Sequence, residues 1–156
     1  MKKYLEQGIW QDIGKCMVLV DRRTALTPRR LGLVLAVDLE AYSFVREDHA
    51  LIRATEGTVI ERIPPRKKIR INAPVELPHI MLLIDDREQK IIENLYENRE
   101  SLEKLYDFDL NMDGGHITGY KITDTDAVIE KLNKLMDKDY LKRLYGDSDE
   151  VMQFAV

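Results

Sequence analysis

Two nearly unbroken apolar runs near the start of the chain constrain its fold more than any other feature. Cys16, Met17, Val18, Leu19 and Val20 form the first, and residues 31–37, rich in leucine and valine, form the second. Turn and charged residues flank both, so each reads as a β-strand buried on both faces. The polar connection of residues 21–30, which contains Pro28, predicts that the two strands pair antiparallel. Ile80, Met81, Leu82, Leu83 and Ile84 predict a third buried strand, residues 117–122 alternate weakly as a fourth, and residues 152–156 have strand character at the chain's end.

Helical periodicity is clearest over residues 126–136, where Val128, Ile129, Leu132, Leu135 and Met136 form one apolar stripe and Thr123, Asp124 and Thr125 offer caps. A further helical piece, residues 140–145, is closed by Gly146, and residues 1–7 read as the last turns of a helix closed by Gly8. Asp86 and Gln89 have the spacing of a capping pair, followed by Ile91, Ile92, Leu95 and Tyr96 at helical intervals. Leu102, Leu105 and Tyr106 continue that spacing, with a hairpin through residues 85–90 as the competing reading. Strands paired early and then mixed with helices predict an α+β fold, with helices on a mainly antiparallel or mixed sheet. With no repeat, low-complexity tract or linker, we expect residues 1–156 to form a single domain. The helix-tail opening and strand-like ending lead us to expect an incomplete fold.

Composition excludes several classes. A chain of 156 residues can bury roughly 68–70 % of its unfolded surface, enough for a core without staples. A net charge of −4 argues against general affinity for nucleic acid or anionic membrane, and no apolar run approaches the ~18 residues of a membrane helix. The single cysteine, Cys16, excludes an internal disulfide and is expected to be an inert buried thiol. With no signal peptide in view, a cytoplasmic protein is expected.

Phosphate loops, dinucleotide fingerprints, zinc-protease and nucleophile-elbow motifs are all missing, so no cofactor is legible and no catalytic residue is assigned. Asp109, Asn111, Asp113 and Gly114 match the first half of a calcium loop, but its twelfth position, which needs a bidentate glutamate, is Tyr120. The flanks of this piece read as strands, so a glycine-rich strand connection is the better account and no metal site is assigned.

Residues 53–66 carry more promise. Thr58 and Glu61 have capping-box spacing, and Pro64 and Pro65 can open a helix, so two successive helix starts would aim free backbone donors at one place. Over residues 46–72, seven basic residues stand against Glu47, Asp48, Glu56 and Glu61, a net +3 that leaves −7 on the rest of the chain. A basic island in an acidic protein can attract phosphate or carboxylate, whereas a solvated face with internal Glu–Arg pairs is the plainer reading. Gly114, Gly115 and His116 form a second candidate, because glycines permit close approach of a ligand and a neutral imidazole suits proton transfer.

Residues 33–42, 52–70, 76–86 and 105–120, above all the run Arg53-Ala54-Thr55-Glu56-Gly57-Thr58 continuing to Pro64-Pro65-Arg66, resemble the family called domain of unknown function 1015. Those are uncharacterised bacterial and archaeal proteins, so the likeness implies no activity. It does imply longer members, with a segment before the equivalent of Met1 and a large one after Val156. Beyond that point they carry a glycine–aspartate–histidine-rich motif similar to phosphate-binding motifs of ParB-like and free-serine-kinase-like proteins, and these residues do not contain it.

The expectation is therefore a binding module whose ligand residues are Arg53, Thr55, Glu56, Arg62, Arg66 and His116, taking an anionic small molecule such as a nucleotide or phosphorylated metabolite. Neither membrane nor specific nucleic-acid binding is expected. Two alternatives stand beside it: an enzyme with Glu56 or Glu61 as base and His116 as acid, and a structural or homo-oligomerising piece with exposed apolar edges.

Overall fold

The computed structural model describes residues 2–73, 79–147 and 154–156. Its elements in chain order begin with α1 (Lys2–Glu6), β1 (Met17–Arg23), β2 (Arg30–Val34), β3 (Tyr42–Ser43) and β4 (Ile52–Arg53). They continue with α2 (Ile63–Ile71), β5 (Leu83–Ile84), α3 (Ile92–Glu97), β6 (Glu103–Asp109) and β7 (His116–Ile122), and close with α4 (Thr125–Leu135), α5 (Lys138–Tyr145) and β8 (Phe154–Ala155). The fold is α+β, with one antiparallel and one mixed four-stranded sheet among the described residues. The residues gather into two compact units. One holds the described parts of Met1–Asp12, Leu39–Asp85 and Asp149–Val156, the other those of Ile13–Asp38 and Asp86–Ser148.

The larger unit is built on the sheet β2-β1-β7-β6. The expected antiparallel hairpin is present, with Leu19 opposite Leu33 and Arg22 opposite Arg30, and β1 pairs on its other side with β7. Burial along β1 alternates: Met17, Leu19 and Asp21 are buried, while Val18 and Val20 are half-buried. Burial on both faces, expected for both strands, is therefore corrected: the second face of β1 is only half-covered, and β2, an edge strand ending at Val34, has no fully buried residue. Leu19 and Ile91 are completely or almost completely buried, and Tyr96, Ile122, Val128, Leu135 and Leu141 complete the core of this unit. Of the stripe predicted for residues 126–136, Val128 and Leu135 are buried and Leu132 and Met136 half-buried, whereas Ile129 is exposed. Asp124 caps α4 by accepting from the Ala127 amide, and Asp137 caps α5 by accepting from the Tyr140 amide at 2.8 Å.

Two helical expectations are corrected. Leu105 and Tyr106 lie on the edge strand β6, which extended Leu102 leads into. A bulge between Lys104 and Tyr106 inserts Leu105 as an extra residue, and that shift turns a two-residue period into intervals of three and four. Asp86 does not cap a helix with Gln89: its carboxylate accepts from the Ile91 amide at 2.9 Å, closing a turn in which Gln89 has φ 53°. Helix α3 begins only at Ile92.

The smaller unit carries the mixed sheet β3-β4-β8-β5, with β3–β4 and β4–β8 parallel and β5–β8 antiparallel. Ile52 and Phe154 are its buried apolar residues. Residues 80–84 are not a strand buried on both faces. Only Leu83–Ile84 is extended, at the sheet's edge, and Ile80, Met81 and Leu83 are exposed. A strand with one neighbour has one flank open to solvent, so apolar sequence alone does not make it central. At the chain's end Phe154 and Ala155 do form a strand, while Met152 and Gln153 lie outside the described residues. Leu5 and Ile9 near the start are exposed, Phe154 is buried, and Trp10 packs edge-on against Tyr4 with ring centroids 5.4 Å apart.

Candidate functional site

The predicted ligand residues divide between the units: Arg53, Thr55, Glu56, Arg62 and Arg66 in the smaller, His116 in the larger. Arg53 sits on β4 between β3 and β8 and is only 8 % exposed. Beside it, the Thr55 amide and hydroxyl both donate to the Val156 carbonyl, at 2.9 and 3.0 Å, and the Val156 amide donates to the Arg53 carbonyl at 2.9 Å. Thr55 therefore extends the β4–β8 pairing. Glu56, Glu61, Arg62 and Arg66 are exposed.

A one-turn 3₁₀ helix, Ile60–Arg62, leads directly into α2, which has proline in its first turn as expected. The supply of free backbone donors is nevertheless small. The Arg62 amide donates to Val59 and the Ile63 amide to Ile60, while Pro64 and Pro65 have no N–H to offer. Thr58 does not cap either, since the cap position is Val59 and makes no side-chain bond. The positive character of this segment therefore resides in its side chains. No acidic residue occupies the first turn of α2. Among the described residues Glu56, Glu61, Arg62, Arg66, Lys67 and Lys68 make no ion pair or hydrogen bond through their side chains. Among the described residues, Arg62 and Arg66 are therefore not paired with Glu56 or Glu61.

In the larger unit His116 stands at the start of β7, between Arg23 of β1 and Asp109 of β6 in the strand register. Its Nδ1 lies 2.8 Å from Asp109 Oδ1 and its Nε2 2.6 Å from Asp107 Oδ1. Asp107 also accepts from Lys104 Nζ at 2.7 Å and from the Thr118 hydroxyl at 3.2 Å. Carboxylates on both ring nitrogens favour the imidazolium, which donates to each, so the His116 pKa is raised by Asp109 first and then Asp107. Lys104 and then His116 hold Asp107 down at about 2. With both nitrogens engaged, the ring has no lone pair to accept a proton.

The sign of the pH dependence follows. The His116 contribution to stability is complete below the ordinary histidine value of ~6.5 and is lost as pH rises through the raised folded value; that of Asp107 is present above ~3.9 and is lost as pH falls through its depressed value. In an NMR titration His116 should change charge above the ordinary histidine range, and Asp107→Asn or Asp109→Asn should each bring it down. An unmoved value in both variants would remove the carboxylates as the cause.

Two glycines singled out beside His116 serve the chain's own backbone. Gly115, at φ 87°, lies so close to β1 that an added Cβ would sit 1.9 Å from the Arg23 carbonyl oxygen. The calcium-like stretch is the β6–β7 connection, closed by the Leu110 amide donating to the Gly115 carbonyl at 2.7 Å. No group of three or more His, Cys, Asp or Glu is placed to hold a metal among the described residues.

Sequence reasoning missed the partners of His116, Asp107 and Asp109, because pairing two residues across strands needs the register. It also missed a cationic cluster around Tyr96. Arg29 and Arg99 stand over its ring at 4.6 and 4.1 Å from the centroid, and Arg23 reaches its hydroxyl at 3.4 Å.

Fold and sites together define an α+β protein with a basic, unneutralised helix entry in one unit and a carboxylate-flanked histidine in the other. The family described as protein of unknown function DUF1015 matches residues 1–145, and the chain belongs to it. No curated protein and no solved structure matched. Among the described residues no helix is long and apolar enough to cross a membrane.

Proposed function

We propose that the chain is an anion-binding module, with residues 53–66 recognising a phosphate-bearing small molecule such as a nucleotide. One observation carries the reading. Arg62 and Arg66 are four residues apart at the entry of α2, both exposed, and neither is engaged by Glu56, Glu61 or any other described residue. Side chains four apart share a helix face, and two guanidinium forks on one face suit a phosphate, which each can bind in bidentate fashion. Thr55, Glu56 and Arg53 would shape the floor through the β4–β8 pairing, whereas His116 belongs to the other unit and is not needed at this site.

Calorimetric titration with pyrophosphate and with a nucleoside triphosphate tests the proposal. Removing one charge-assisted hydrogen bond typically costs about 1.5–3 kcal/mol, so Arg62→Gln with Arg66→Gln should weaken binding at least tenfold. The melting temperature should stay nearly constant, because exposed substitutions usually change stability by less than about 0.5 kcal/mol. Equal affinity in wild type and double variant would end the reading.

The oligomerising alternative has an observation of its own. Ile60, Ile69 and Ile71, in and around α2, are each more than 70 % exposed. Exposed apolar surface of this kind suits a second copy, and sedimentation of wild type against Ile69→Ser with Ile71→Ser separates it from a monomeric binder.

A further inference from the structure

We propose a second oxyanion site, on the larger unit at the loop end of the β1–β2 hairpin, that takes a phosphate monoester with an apolar organic part. A cavity of about 250 Å³ lies there, lined by Arg22, Thr24, Leu26, Thr27 and Arg30. Arg22 and Arg30 are direct cross-strand partners. Like charges opposite one another on an antiparallel pair repel, and residues 22–30, Arg-Arg-Thr-Ala-Leu-Thr-Pro-Arg-Arg, contain no acidic residue to offset them. A dianion between the two side chains converts that repulsion into two fork-shaped contacts.

The chain has also organised the site in advance. Arg22 donates through Nη2 to the Gly114 carbonyl at 3.2 Å. That carbonyl is within reach because Gly115 lets the β6–β7 connection press against the backbone of Arg23. The Thr27 amide donates to Thr24 Oγ1 at 3.0 Å, which orients the hydroxyl and leaves its proton for a ligand oxygen. The Arg30 side chain makes no hydrogen bond or ion pair among the described residues, so its guanidinium is available.

Leu26 decides the ligand class. It is 95 % exposed on the rim of a cationic cavity, where it can cover the organic part of an ester but does nothing for inorganic phosphate. A carboxylate would be satisfied by one guanidinium. A tetrahedral phosphoryl group has oxygens for both arginines and for the Thr24 hydroxyl.

The test is an NMR titration of the full chain with inorganic phosphate and with phenyl phosphate, following the amides of residues 22–27, 29 and 30. Both should give saturable shifts, with phenyl phosphate binding several-fold more tightly. Arg30→Gln, on an exposed position of an edge strand, should weaken both at least tenfold, and Leu26→Ser should erase the preference for the phenyl ester alone. Arg62→Gln with Arg66→Gln should leave these shifts intact, which separates this site from the one at residues 53–66. Absence of saturation at tens of millimolar ligand overturns the site, as does unchanged binding in Arg30→Gln with a native circular dichroism spectrum. Equal affinity for the two ligands overturns the ester assignment.

Discussion

Gly115→Ala is expected to destabilise the protein by about 2–5 kcal/mol, combining the ~1–2 kcal/mol cost of a left-handed backbone for an L-residue with the ~1–3 kcal/mol typical of overpacking. The new methyl would lie 1.9 Å from the Arg23 carbonyl oxygen, 2.9 Å from its carbon and 3.0 Å from the Thr24 Cα, all backbone atoms. No rotamer change relieves such a clash; β1 and the β6–β7 connection must separate. Gly32→Ala is the control, because a Cβ there meets nothing within 4 Å and its φ is not in the left-handed range. Gly119→Ala should fall between the two, since the obstacle is the Tyr106 ring, a side chain that can swing away from the edge strand. Urea unfolding of the three variants gives the order directly. If Gly115→Ala matches Gly32→Ala, the packing of that connection on β1 is wrong.

A loss of about 2–4 kcal/mol is expected for Arg23→Leu, somewhat below the ~3–5 kcal/mol seen when a fully buried ion pair is broken. Asp21 is 1 % exposed and its Oδ2 accepts from Arg23 Nε at 3.2 Å and Nη2 at 2.7 Å. Its Oδ1 is buried with no hydrogen-bond partner, so the guanidinium is what makes the charge tolerable. Arg23 itself is half-exposed, and water entering beside the leucine softens the penalty. Adding Asp21→Leu should recover much of the loss, because the stranded carboxylate is then gone. Chemical denaturation of the single and double variants measures both the loss and its recovery. Additive losses in the double variant would mean that Arg23 acts through its contact with Tyr96 instead.

Legibility in the sequence tracked the range of the interaction. The β1–β2 hairpin, β7, α4 and α5 were readable because continuous apolar runs, a helical stripe and side-chain caps act within a few residues of one another. Residues 102–106 misled because a bulge is a property of two strands, and one strand's spacing cannot reveal it. Residues 80–84 misled because hydrophobicity reports preference for burial, whereas neighbours decide whether burial occurs. At residues 53–66 the excess charge and the prolines at the helix entry were evident. That those prolines remove the very donors a helix entry would present became visible only from the hydrogen bonds around them.

From the sequence alone came the α+β class, the family, a basic island in an acidic chain, and the importance of Gly114, Gly115 and His116. Only the tertiary structure decided what those three residues meet: Gly115 admits the backbone of Arg23, Gly114 lies against Leu110 and Asn111, and the histidine stands between two carboxylates. It alone also put Arg22 opposite Arg30, eight positions along the chain but neighbours across the hairpin. Local order is written in spacing and propensity, which one segment carries by itself. Pairing of charges, burial of Asp21 and close backbone approach depend on register between segments, and register is settled by the whole core at once.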